Sequence, residues 1–246
     1  MKLFIKAILQ RILGLENYLF FFSLFKIATL KWDTIEGDFV YLLSMISDND
    51  MVIDVGANIG IMSVLLARKV SLGQVHAFEP MPVNFKVLER VIGWFHLHNV
   101  ILYPLALGNI EREIRMVMPV VGIVRLQGLS HVIDETNPIE DMGDLATVLC
   151  KNLDNIPAFS EPGTRIKAIK IDVEGFEYSV LEGAQKLLSF HRPVIYCEIS
   201  NDESLARCTS LLNTLNYEIK VLMDHRLQIY DPQKHDGYWN FFLIPR

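Results

Sequence analysis

Cysteine is scarce, with only Cys150, Cys197 and Cys208 in 246 residues and no C-x-x-C pair. An odd, widely spaced set excludes a disulfide framework or a zinc knuckle as an organising device. Reduced thiols fit a cytoplasmic protein, and Cys197, inside an apolar run, reads as a small core residue. Basic charge is also short: 23 Lys and Arg stand against 29 Asp and Glu, a net charge of −6. No broad nucleic-acid surface is expected from that balance, although a nucleotide-sized ligand is compatible with it. No apolar run approaches the roughly 18–20 residues of a spanning helix. Lys2, Lys6, Arg11 and Glu16 interrupt the apolar N-terminus. Those charges, and the lack of a small-x-small cleavage site, argue against a signal peptide. The chain also has no G-x-G-x-x-G fingerprint, no internal repeat and no low-complexity linker.

What is present is an ordinary globular composition, 51% hydrophobic and 21% charged. It suits one α/β domain with a sizeable core. The most informative run is Asp54-Val-Gly-Ala-Asn-Ile-Gly60. An apolar stretch, 51–53, precedes it, and a helix-like stretch, 61–70, follows. Strand, glycine turn and helix start let a ligand approach the backbone beside unpaired N–H groups. Asp54 stands before the glycines, where it would repel a pyrophosphate. It suits a cationic, hydroxyl-bearing ligand such as S-adenosylmethionine.

Segments then alternate. Strands are expected at 51–56, 74–78, 99–107, 165–171 and 193–197, with helices at 58–70, 83–94, 178–190 and 203–215. Two terminal strands follow, at 217–223 and 239–244. A further antiparallel strand is expected at 113–118 and a short one at 148–153. This alternation predicts a parallel sheet with helices on both faces. The stretch 119–147 breaks the rhythm and is expected to be an irregular, functional insertion. The domain is expected to span 49–246, after an N-terminal helical segment, 1–48.

Asp54, Glu79 and Asp172 fall at the carboxyl ends of three expected strands, and Glu198 ends a fourth. Ligands of open α/β sheets bind outside those ends. Glu79, about twenty residues beyond the turn, is placed to accept hydrogen bonds from a ribose diol.

In the first helix, Lys2, Lys6 and Gln10 recur every four residues, with Arg11 beside them. They form a polar stripe on a helix otherwise made of Leu, Ile and Phe. Such a helix packs on the domain or on a second subunit, or lies on a membrane surface as a basic interfacial helix. Both a homo-oligomer and a peripheral membrane contact stay open.

The turn, with Phe78-Glu79-Pro80, Asn84-Phe85, Ala106-Leu107-Gly108 and Leu153-Asp154, resembles the FkbM family of S-adenosylmethionine-dependent methyltransferases. The run Lys170-Ile-Asp-Val-Glu-Gly-Phe-Glu177, then Val180-Leu-Glu-Gly-Ala184 and 193–198, extends the resemblance over roughly residues 50–200. It implies a class I methyltransferase (Rossmann-like) fold: a seven-stranded, mostly parallel sheet whose last strand is antiparallel. It also implies O-methylation of a hydroxyl on a sugar, glycan or secondary metabolite. By that resemblance Gly56, Asn58 and Gly60 line the methionine end of the cofactor, Glu79 holds the ribose, and Leu105-Ala106 lie by the adenine. Asp54 joins this cofactor set.

A sugar hydroxyl is a weak nucleophile, so a base or a metal should help to remove its proton. Asp172, Glu174, Glu177 and Glu198 are candidates for the base, as is His131 if the insertion folds over the crevice. Asp172, Glu174 and Asp154 are instead candidate ligands for Mg²⁺. Glu177 is equally suited to capping a helix N-terminus. His76, inside an expected strand, reads as structural. The competing functions are an NAD-dependent oxidoreductase of doubly wound fold and an inactive methyltransferase-fold binding module.

Overall fold

The computed structural model describes residues 2–29, 37–133, 143–199, 202–235 and 237–246. Its core is an eight-stranded sheet. β1 (Met51–Val55), β2 (Gln74–Phe78), β3 (Val100–Tyr103), β9 (Ile166–Ile171) and β10 (Val194–Glu198) run parallel. β11 (Tyr217–Met223), β12 (Arg226–Ile229) and β13 (Asn240–Pro245) complete it in the order β12-β11-β13-β10-β9-β1-β2-β3. β13 is antiparallel to both its neighbours, β10 and β11. The seven strands expected are therefore present, in a Rossmann-like arrangement. β12 is an eighth, added as a hairpin on β11 between the two expected terminal strands, where no strand was expected.

The chain runs outward from β1 to β3 on one side and from β9 to β10 on the other. The direction reverses between β1 and β9, which opens a crevice at their carboxyl ends. Parallel strands covered on both faces need side chains that are apolar in both directions. β1 supplies them: Ile53 and Val55 join one core, Val52 the other. The first core lies under α6 (Glu177–Glu182), α7 (Gln185–His191) and α8 (Asp202–Thr214). The second lies under α4 (Ile61–Lys69) and α5 (Pro82–Trp94).

Three helices precede the sheet: α1 (Lys2–Leu13), α2 (Leu15–Thr29) and α3 (Gly37–Ser44). Leu19 and Phe20 of α2, and Phe39 and Leu42 of α3, join the second core. Ser23 is fully buried and donates a 3.0 Å hydrogen bond to the Ile59 carbonyl, fastening α2 to the glycine turn.

Three local expectations are corrected. The strand expected over 99–107 divides at Pro104, which cannot donate to a ladder. β3 stays in the large sheet, and β4 (Ala106–Leu107) leaves to pair with β8 (Gly143–Lys151). The helix expected over 178–190 breaks into α6 and α7. At Gly183 a Cβ would stand 2.0 Å from the Gly108 carbonyl oxygen, so the chains meet backbone to backbone.

The 119–147 insertion is not wholly irregular. β5 (Glu113–Val121) pairs antiparallel with β8, from Glu113 opposite Leu149 to Pro119 opposite Gly143. β6 (Val124–Arg125) and β7 (His131–Val132) add to β5. Such pairing is non-local, so turn-forming residues between the partners mask it in the sequence. Residues 134–142 of the insertion lie outside the described residues.

Candidate active site

The turn after β1 is held from three sides. Gly56 and Asn58 both have positive φ, 78° and 50°. The Gly56 and Ala57 amides donate to the Phe78 carbonyl at 3.0 and 2.9 Å, tying the turn to β2. The Asn58 amide donates to Glu79 Oε2 at 2.8 Å. On the β9 side, a Cβ on Gly56 would lie 1.9 Å from the Asp172 carbonyl oxygen. Glycine is required there both for φ and for space.

Beneath the turn lies a buried charge chain. Lys170 Nζ is 3.3 Å from Asp54 Oδ1 and 3.5 Å from Asp172 Oδ2. It also donates to the Gly56 carbonyl at 2.7 Å. Burial opposes the ammonium charge, but Asp54 and Asp172 outweigh it and hold the Lys170 pKa above its ordinary value. Asp54 is fully buried and accepts from Ser63 Oγ at 2.5 Å. It does not line the crevice, so the direct ligand contact expected of it is corrected to support of the turn. Gly60 is likewise a supporting residue, capping α4 under the turn beside Leu88 and Val91.

The crevice is narrow, with a cavity volume of about 60 Å³. Gly56, Asn58, Glu79, Leu105 and Ala106 line it as the sequence predicts. Glu79 is buried and accepts from the Met81 amide at 2.9 Å and Asn84 Nδ2 at 3.3 Å. Burial nevertheless pushes its pKa up to about 7. The apolar wall includes Phe78, Leu107, Met116, Val132 and Phe176. Asn58 Oδ1, Asn84 Oδ1 and Gln127 Oε1 also face this region, buried and without a hydrogen-bond partner in the protein. Three such acceptors ask for a ligand rich in donors. An adjoining cavity of about 120 Å³ shares Gly56, Asn58, Gln127 and Asp172 and is also lined by Phe22 and Lys26 of α2.

At the lip, Asp172 and Glu174 line the crevice. Glu174 is half-buried, with φ 51°. Burial, then the carboxylates of Asp172, Glu198 and Glu177, raise its pKa to about 7, while His131 acts in the opposite sense. His131, on β7, is hydrogen-bonded through Nδ1 to the Leu129 carbonyl at 2.9 Å. The insertion therefore does bring His131 to the acid cluster. Glu198 is exposed at the end of β10. Glu177 is buried in the first turn of α6 and accepts from the Gly175 amide, which precedes the helix, at 2.8 Å.

Asp154 is elsewhere. Its two oxygens accept from the Lys186 and Leu187 amides at 3.0 and 2.8 Å, capping α7. The Mg²⁺ set of Asp154, Asp172 and Glu174 is thus not assembled. No cluster of three or more His, Cys, Asp or Glu suited to a metal occurs among the described residues. His76 is a core residue, stacked on Tyr103, and burial lowers its pKa to about 4. All three cysteines are buried and unpaired.

Residues 54–228 match the Methyltransferase FkbM domain. The chain belongs to the FkbM methyltransferase family. It is 27% identical over 183 residues to Methyltransferase sdnD of Sordaria araneosa, covering 65% of this chain and 70% of that one. It is 24% identical over 156 residues to Methyltransferase 1 of Beauveria bassiana (strain ARSEF 2860), covering 59% of this chain and 63% of that one. In structure it resembles the FkbM methyltransferase of Methylobacillus flagellatus KT, with a TM-score of 0.53 at 18% identity. That likeness covers 80% of this chain but 44% of the Methylobacillus chain, and it concerns the fold. Family membership sets aside the dinucleotide oxidoreductase alternative.

The sequence left Asn84, Gln127 and Lys170 without roles. Lys170 lies inside the most specific motif, so a signal existed. Gln127 lies in the aperiodic insertion and gave none.

Proposed function

We propose that this FkbM-family protein is an S-adenosylmethionine-dependent O-methyltransferase acting on a hydroxyl of a sugar, glycan or secondary metabolite. The observation that carries the reading is Glu174, a carboxylate at the crevice lip with a pKa near 7. A base of that strength is matched to removing a hydroxyl proton near neutral pH.

The residues present fit the cofactor. Glu79 offers its carboxylate to the ribose hydroxyls, and the orphan oxygens of Asn58, Asn84 and Gln127 take ammonium, hydroxyl or amino donors. Leu105, Ala106 and Phe78 provide an apolar slot for a base ring. Lys26, in the adjoining cavity, is the cation that the carboxylate of the amino-acid end would meet. When bound, S-adenosylmethionine supplies an electrophilic methyl on a cationic sulfur.

Glu174 would accept the proton of the acceptor hydroxyl, and the methyl that this oxygen takes would come from the cofactor's carbon–sulfur bond, which breaks to leave the neutral thioether S-adenosylhomocysteine. Asp172, paired with Lys170, keeps the turn and the acid cluster in register. The surrounding carboxylates favour a cation within the crevice and raise the proton affinity of Glu174. Met116 of β5, Val132 of β7 and Gln127 wall the crevice on the side of the β5–β8 pair.

The test is transfer of labelled methyl from S-adenosylmethionine to a panel of glycans and hydroxylated metabolites. A labelled ether should form, and Glu174→Gln should slow it by about 10²-fold or more. Binding of S-adenosylhomocysteine should change by only a few-fold. Undiminished transfer by the variant removes Glu174 from the mechanism. A protein that binds S-adenosylhomocysteine and labels nothing on the panel is the inactive module.

A further inference from the structure

The orientation of α1 is the reverse of what a soluble amphipathic helix adopts. Gln10 is buried and exchanges two hydrogen bonds with the backbone of β6. Its Nε2 donates to the Arg125 carbonyl and its Oε1 accepts from the Arg125 amide, both at 3.0 Å. Lys6, four residues earlier, is partly covered, and burial lowers its pKa. The side of α1 that carries Lys6 and Gln10 is therefore the side that meets the protein. The apolar side looks outward: Phe4 is 70% exposed and Ile12 is 72% exposed, and Leu3, Ile5, Ile8 and Leu9 are exposed as well. The reciprocal bonds of Gln10 fix the rotation of the helix, so the apolar face cannot turn inward without losing both.

Scattered apolar residues on a surface need no explanation, but six large ones on a single 12-residue helix do. Phe21 and Phe25, one turn apart on α2, are exposed too, as is Ile123 in the β5–β6 hairpin that Gln10 holds. Charge indicates what covers this face. The first fifteen residues contain Lys2, Lys6 and Arg11 and no acid, while the whole chain carries −6. Arg11 is exposed on α1 itself. Arg11, an exposed cation beside a wide apolar face, suits the boundary of an anionic bilayer, where it meets headgroups while the apolar side chains enter the acyl region. A second copy packed through α1 would offer no acid of that helix to pair with Arg11. At about 18 Å the helix is too short to span, so it lies in the plane of the surface. None of the described helices is long and apolar enough to cross a membrane.

We propose that α1 is an interfacial anchor that docks this protein, apolar face first, on an anionic lipid surface. The full chain should float with vesicles of phosphatidylcholine and phosphatidylglycerol and remain at the bottom with phosphatidylcholine alone. High salt should weaken flotation. The Ile8→Glu/Ile12→Glu variant should lose at least about tenfold in partitioning, the equivalent of about 1.4 kcal/mol. Its circular dichroism and thermal midpoint should match the parent, since neither side chain is in a core. Arg11→Glu should give a smaller loss that high salt removes.

Failure of the full chain to float with anionic vesicles overturns the proposal. So does equal flotation of the double variant. A dimer seen by sedimentation and abolished by Ile8→Glu/Ile12→Glu, without flotation of the parent, assigns the face to a second copy instead.

Discussion

The Lys170 ammonium donates a 2.7 Å hydrogen bond to the Gly56 carbonyl from inside the sheet. That bond joins β9 to the turn after β1 across the point where the sheet reverses direction. The cofactor turn and the acid cluster are therefore parts of one charged unit, Asp54–Lys170–Asp172.

Lys170→Met should leave the fully buried Asp54 without its cation. Removing one partner of a buried pair costs about 3–5 kcal/mol. Urea unfolding measures the loss, and adding Asp54→Asn should recover part of it. A loss below about 1 kcal/mol is inconsistent with a buried pair of this kind.

Gly56→Ala places a methyl where the Asp172 carbonyl already lies, 1.9 Å away, at a residue with φ 78°. The turn must shift, because the obstacle is backbone. Affinity for S-adenosylhomocysteine should fall by at least about tenfold, by calorimetry, with the overall fold retained.

Glu79 gives the stability a distinctive pH dependence. Its folded pKa of about 7 lies above the ordinary 4.5 of a glutamate, so the folded state holds a proton that the unfolded state releases. The stability this contributes is fully present below about 4.5 and is lost as pH rises through about 7. His76, with its pKa lowered to about 4, acts oppositely: its neutral burial costs stability as pH falls from 6.5. Measured from about pH 5 to about pH 8, Glu79→Gln should show a more positive slope of stability with pH than the parent. Parallel slopes would place the Glu79 pKa outside that range.

Hydroxyl donors on a ligand favour ionised Glu79. Binding of S-adenosylhomocysteine should therefore tighten about tenfold between about pH 6 and about pH 8. Glu79→Gln should remove that dependence. A dependence that survives the substitution belongs to another group.

Asp154 is a helix cap and not a metal ligand. Asp154→Ala should cost about 0.5–2 kcal/mol of unfolding free energy, as cap deletions do. Added Mg²⁺ should not stabilise the parent protein more than the variant in thermal unfolding. Selective stabilisation of the parent would return Asp154 to a metal site.

How much was legible can be judged residue by residue. The strand ends at Glu79 and Asp172 were readable because burial on both faces forces long apolar runs, and a charge after such a run marks its end. Gly56 and Asn58 were readable because few residues accept a positive φ. The break at Gly183 was hidden, since its cause is the Gly108 carbonyl, distant in sequence. The strand at 113–118 was readable, but β5 and β8 pair across the aperiodic insertion, so no local pattern placed Gln127 at the crevice.

Sequence alone determined the doubly wound order of segments, the glycine turn and the set of carboxylates after the strands. Periodicity and allowed backbone angles are local properties, written in neighbouring residues. Tertiary structure decided which carboxylate does what. Asp54 went inward to Lys170, Asp154 to a helix end, and Glu174 to the crevice lip among other acids. It also decided that the side of α1 that carries Lys6 and Gln10 faces the protein, through the Gln10–Arg125 bonds. Burial and charge partners arise from segments far apart in the chain, so only the assembled fold could assign them.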